Sequence, residues 1–187
     1  MNIRTFIALE LSDEAKKEMS RVEEILKKTD ADVKWVIPEA IHITLKFLGN
    51  IRKENVLSVN ENLKSVAFKT SPFDITLGDI GVFPGWDRPR VLWIGIDEGC
   101  RPLEKLAGSV RAAMSGEGES EEELSISPHI TIGRVKSGRN KAGLQDESTS
   151  IKVVPALVHI SRLVFFESLL TKEGAVHTVL SAWDLTG

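Results

Sequence analysis

The chain has 187 residues, 24 of them basic and 27 acidic, with a formal net charge of −3 when its four histidines are neutral. Apolar residues make up 42% and charged residues 27%, a mix that fills a packed core and excludes a disordered chain. Its slight acidity excludes a broad basic face tracking duplex backbone, so any nucleic-acid contact is expected at one end or one phosphate.

A single cysteine, Cys100, rules out a disulfide within the chain and fits a reducing cytoplasmic compartment. The N-terminal MNIRTFIALELSDE turns acidic after a few apolar residues, unlike a secretory signal. No apolar run approaches the roughly 20 residues of a membrane span. The length suits one domain over 1–187, built of two joined lobes.

In chain order, residues 3–11 alternate and are rich in Ile, Phe and Leu, which predicts a strand. Ser12 is placed to cap a helix whose first turn holds Asp13 and Glu14, and Ala15, Met19, Val22 and Leu26 recur at helical spacing. Strands follow at 33–37, stopped by Pro38, and at 41–48. Val56, Val59, Leu63 and Val66 predict a second helix. Strands at 73–82 and 90–97 flank the turn-rich loop from Phe83 to Pro89. Leu103, Leu106, Val110 and Met114 predict a third helix, and the acidic stretch 115–123 an exposed loop. The polar segment 136–150 predicts a mobile loop between strands at 130–135 and 151–154. Strands at 157–166 and 175–180 close the pattern.

The two halves repeat. His42 and His129 lie 87 residues apart (129 − 42 = 87), and each opens a tetrad His-Ile-Thr-Leu or His-Ile-Thr-Ile. The same offset sets Phe6-Ile7-Ala8-Leu9-Glu10 against Trp93-Ile94-Gly95-Ile96-Asp97, and Met19 against Leu106. Each half thus runs strand, helix, then His-x-Thr strand. We read a duplicated unit whose halves meet about a pseudo-twofold axis.

Strand alternation sends His42, Thr44 and Lys46 to one face and Ile41, Ile43, Leu45 and Phe47 to the other. Likewise His129 and Thr131 share a face backed by Ile130 and Ile132. An imidazole and a hydroxyl side by side on each of two facing strands suit phosphoryl transfer. One imidazole takes a proton from water and the other protonates the departing oxygen, both feasible near neutrality because histidine titrates near pH 6.5. The threonine hydroxyls would donate to the non-bridging oxygens. A zinc site would need three or four His, Cys, Asp or Glu ligands, and no such cluster accompanies the tetrads, so neither metal nor other cofactor is expected. No G-x-S-x-G elbow supports a serine hydrolase.

The strings Arg4-Thr-Phe-Ile-Ala8, Trp35-Val-Ile-Pro38, His42-Ile-Thr-Leu-Lys-Phe-Leu-Gly49, Arg88-Pro-Arg-Val-Leu-Trp93 and Ser127-Pro-His-Ile-Thr-Ile-Gly-Arg134 resemble the LigT-like RNA 2′,3′-cyclic phosphodiesterases of the two-histidine phosphoesterase superfamily. The resemblance runs from Arg4 to the region of Glu167 and Trp183. It implies a bilobal α+β fold, internally duplicated, with antiparallel sheets lining a central cleft and helices outside. It also implies hydrolysis of a terminal 2′,3′-cyclic phosphate to a 2′-phosphate, on RNA 3′ ends or small cyclic nucleotides. In that scheme His42 is the proton donor, His129 the proton acceptor, Thr44 and Thr131 bind the phosphate, and Arg134 supports its charge. Reverse 2′-5′ ligation of RNA ends, or a binding module with little catalysis, are the alternatives. One departure stands out: where relatives carry an aromatic after Gly-Pro, this chain reads Gly174-Ala-Val-His177. His159 is read as a packed or edge histidine, Trp35 and Phe47 as core, and Trp86 as packing on its own loop rather than on a base.

Overall fold

The computed structural model describes residues 1–117, 128–155, 157–171 and 175–187. Among these residues nine strands form one sheet in which every pairing is antiparallel. They are β1 (Asn2–Leu9), β2 (Val33–Trp35), β3 (Ile43–Arg52), β4 (Phe73–Phe83), β5 (Val91–Ile96), β6 (His129–Val135), β7 (Leu157–Ile160), β8 (Arg162–Leu170) and β9 (Ala175–Asp184). The order is β7-β4-β5-β6-β3-β1-β8-β9, with β2 added on β6. The α-helices among the described residues are α1 (Asp13–Lys27), α2 (Val56–Phe68), α3 (Cys100–Ala113) and α4 (Lys141–Ser150).

Helix α1 starts where its cap predicts, with the Ser12 hydroxyl accepting from the Ala15 amide at 3.3 Å. Ala15, Met19, Val22 and Leu26 are all fully buried, so the 3.6-residue stripe is the face that joins the core. α1 lies against β7 and α4, whereas α3 lies against β3 and α2. Each half's first helix therefore packs on elements of the other half, and one apolar cluster runs from Ile3 to Leu185 through both. No helix among the described residues is long and apolar enough to cross a membrane.

Three expectations are corrected. The segment 136–150 is not a loop throughout, because it contains α4, whose Leu144 and Ser148 are buried against β4 and α1. The 87-residue offset carries Val56 of α2 onto Gly143 of α4, so the repeat held that signal although the segment's polarity hid it. Residues 151–154 form no strand: the Val154 amide donates to Glu18 at 2.8 Å and the Lys152 carbonyl accepts from Arg21 at 3.1 Å. Side chains of α1 satisfy this backbone in place of a neighbouring strand. The stretch 157–166 is two strands broken at Ser161, β7 pairing with β4 and β8 with β1, so the chain crosses there from one half of the sheet to the other. From residue 118 on, the acidic stretch at 115–123 lies outside the described residues.

Candidate active site

The two halves of the sheet meet where β3 pairs β6, and the one registered pair there is Ile43↔Ile130. These residues occupy equivalent places in the repeat. Continuing that antiparallel register one residue each way brings His42 beside Thr131 and Thr44 beside His129. Opposed side chains on such strands stand about 4.5–5.5 Å apart at Cβ and diagonal ones about 7–8 Å, so the histidines are diagonal neighbours. Behind them Ile41, Ile43, Leu45, Ile130 and Ile132 are all buried, whereas His42, Thr44, His129 and Thr131 are half-buried. The tetrads thus fold as amphipathic strand ends: isoleucines inward, imidazoles and hydroxyls outward.

Each histidine rests on an aromatic ring from the strand next to its own. Phe6 of β1 stacks on His42 with centroids 4.8 Å apart. Trp93 of β5, its counterpart in the repeat, lies 6.2 Å from His129. Phe83 meets His129 edge-on at 4.9 Å. Gly81 is needed beneath this group, since a Cβ there would sit 2.3 Å from the Trp93 indole. On the first half the floor continues through Phe166, stacked on Phe6 at 5.0 Å.

Matched β-bulges decide what joins the histidines. In β3, Ile7 pairs Lys46 and Ala8 pairs Thr44, leaving Leu45 as an extra residue. In β6, Leu92 pairs Gly133 and Trp93 pairs Thr131, leaving Ile132 extra. Leu45 and Ile132 are equivalent in the repeat. A bulge re-aims the residues beyond it. Phe47 is accordingly not core: it pairs Phe6, stands 5.9 Å from that ring and is 43% exposed. Uninterrupted alternation would have buried it. Its counterpart Arg134 is exposed and opposes Val91, on the Trp93 side of β5. The bulge therefore returns Arg134 to the side that carries Thr131.

His42 titrates at about 4, below the ordinary 6.5: burial is the main cause, the charge of a protonated His177 adds to it, and a hydrogen bond to the Ala40 backbone opposes both. The folded state therefore refuses a proton that the unfolded chain accepts near pH 6.5. As pH falls from 6.5 to 4 this residue withdraws stability on the order of 3 kcal/mol, fully present above the upper limit. Urea unfolding of the wild type should show that loss, and His42→Gln should lack that part of it. Parallel pH profiles for the two proteins would exclude the depressed pKa.

The other aromatic and histidine expectations resolve simply. Trp35 and Trp86 pack against the core cluster. His159 is an edge histidine on β7, 2.7 Å from Asp74. His177, left without a role by the sequence, enters the site from β9: its ring lies edge-on to His42 at 5.5 Å and to Phe6 at 4.8 Å. Only a place in the β8–β9 hairpin, where it pairs Ser168, brings it there. Among the described residues, no group of three or more His, Cys, Asp or Glu side chains is placed to hold a metal ion. Two surface hollows, along α1 with Pro38 and Glu39 and between α2 and α3, include neither tetrad.

Paired His-x-Thr strands at the centre of an antiparallel sheet define a two-histidine phosphoesterase architecture, and comparison with known proteins agrees. The family described as LigT like Phosphoesterase matches residues 9–93. A protein of Aquifex aeolicus named RNA 2′,3′-cyclic phosphodiesterase is 35% identical over 169 residues, covering 88% of this chain and 89% of its own. One of the same name from Thermotoga maritima is 35% identical over 185 residues, covering 99% and 97%. The crystal structure of TT0787 from Thermus thermophilus superposes with a TM-score of 0.82 at 25% identity, covering 99% of both chains. The chain belongs to the LigT-like phosphoesterase family.

Proposed function

We infer that this chain is an RNA 2′,3′-cyclic phosphodiesterase that opens the terminal cyclic phosphate to a 2′-phosphate, with His42 and His129 as its acid and base. One observation carries the assignment of residues: Ile43 pairs Ile130, so two imidazoles and two hydroxyls alternate on adjoining strands. A cyclic phosphodiester between the histidines has its attacking water on one side and its leaving oxygen on the other. The base imidazole takes a proton from water as the new P–O bond forms. The P–O3′ bond breaks, and the acid imidazole protonates the departing 3′-oxygen. Ring strain in the five-membered phosphate lowers the electrostatic help required. Hydroxyls of Thr44 and Thr131 donate to the non-bridging oxygens, where charge concentrates. Arg134 supports that charge or the next phosphate along the strand.

His42 is the donor and His129 the acceptor in this reading. A ring that titrates at about 4 is neutral near pH 7 in the free protein, so the donor role requires His42 to take up a proton when the anionic phosphate arrives beside it. Phe47, exposed beside Phe6, offers a face for the terminal base. RNA 3′ ends and small cyclic nucleotides both present the reacting group. The relatives above carry the hydrolase name, and neither reverse ligation nor binding without turnover has an observation of its own.

The test uses a short RNA ending in a 2′,3′-cyclic phosphate, incubated with the protein in EDTA. Conversion to a 2′-phosphate is expected. Tight binding without product, or turnover only after a divalent metal is restored, would overturn the reading.

A further inference from the structure

His177 of β9 stands inside the site. Its ring touches Phe6 edge-on at 4.8 Å, His42 edge-on at 5.5 Å and Phe166 at 6.3 Å. Its Nδ1 is buried without a hydrogen-bond partner. A buried imidazole nitrogen left unpaired in an aromatic wall is not what packing alone selects, since a phenylalanine there would leave no polar atom unsatisfied. We propose that His177 is a positioning residue of the phosphodiester site: it and His42 admit one positive charge between them, so that protonation of either imidazole excludes protonation of the other.

Two imidazolium rings with centroids 5.5 Å apart, both against Phe6, repel as like charges in a poorly screened setting. Burial already disfavours the charged form of both, and a protonated His177 lowers His42 further. The strands around the pair carry Arg4 on β1, Lys46 on β3, Glu167 on β8 and, across the tetrads, His129 and Arg134 on β6. Among the described residues the charge that acts on His42 is that of His177, and no carboxylate offsets it. The proton that His42 must hold to act as donor is therefore available only while His177 stays neutral. An aromatic residue at position 177 would leave His42 free of that condition.

This inference rests on the phosphodiesterase reading for its consequence in catalysis, but not for its physical content. The experiment has two arms. The first follows the His42 ring by NMR through a pH titration of the free protein, in the wild type, His177→Phe and His177→Gln. Both variants remove the neighbouring charge; phenylalanine keeps the ring packing, glutamine keeps a polar side chain. His42 should titrate about half to one pH unit higher in both. An unmoved or lowered midpoint in either variant would overturn the coupling, and a shift in phenylalanine alone would assign the effect to packing.

The second arm measures kcat/KM against pH on a 2′,3′-cyclic phosphate substrate. One limb of the profile, the one set by the titration of His42 in the free protein, should move upward with it. A profile with both limbs fixed in both variants would overturn the role of His177 in turnover. If the wild type fails to turn over any cyclic phosphate, the phosphodiesterase reading falls while the NMR arm still decides the coupling.

Discussion

Replacing His129 or His42 with alanine should lower kcat by about 10²–10⁴-fold, the usual worth of a positioned acid or base. Each imidazole serves one end of an in-line displacement, so losing either leaves the other with half a reaction. The double variant should fall little below the weaker single one, because groups that act as a unit are not additive. Each single variant should also lose one limb of the bell-shaped pH profile. His129→Ala removes no side chain of the buried core, so its far-ultraviolet spectrum should match the wild type. His42→Ala leaves Phe6 with only one of its two stacked partners, Phe166, which makes His42→Gln the cleaner comparison. Turnover within tenfold of the wild type in either position would remove that histidine from the mechanism.

Ile130→Ala should destabilise the protein by about 2–5 kcal/mol, the range for truncating a buried aliphatic side chain without collapse of the cavity. Ile130 is fully buried and lies between His129 and Thr131, and its pairing with Ile43 is the registered contact where the two halves of the sheet join. The loss should therefore appear in chemistry as well as in stability. An imidazole displaced by about 1 Å from its productive position costs on the order of 10²-fold in rate. Val59→Ala, an equally buried change in α2 away from the tetrads, is the control: it should lower the urea midpoint while kcat at 25 °C stays near that of the wild type. Equal effects of the two substitutions on kcat would show that the β3–β6 junction has no special part in holding the histidines.

Local regularity made part of this molecule readable from its residues. The Ser12 cap, the stripe on α1 and the apolar alternation of the tetrads are short-range patterns, and they fold as their spacing dictates because each hydrogen bond or buried face involves neighbours along the chain. The repeat extended that reach. It paired the tetrads across 87 residues and, applied to α2, would have recovered the helix that the polar composition of 141–150 concealed.

Phe47 shows where such patterns stop. Simple alternation buried it, whereas the structure exposes it against Phe6, because the extra residue at Leu45 exists only in the pairing of β3 with β1. The matching bulge at Ile132 returns Arg134 to the side of Thr131 for the same reason. His177 is a further case: nothing within its own stretch of chain points to the site, and it reaches His42 only because β9 pairs β8, which pairs β1. The two histidines, the two threonines and their apolar backing were legible in the residues alone, since adjacent side chains on one strand need no partner to declare their faces. What surrounds them was settled by the folded chain, because bulges and strand order are properties of pairs of segments far apart in sequence, and the energy that selects them lies between those segments.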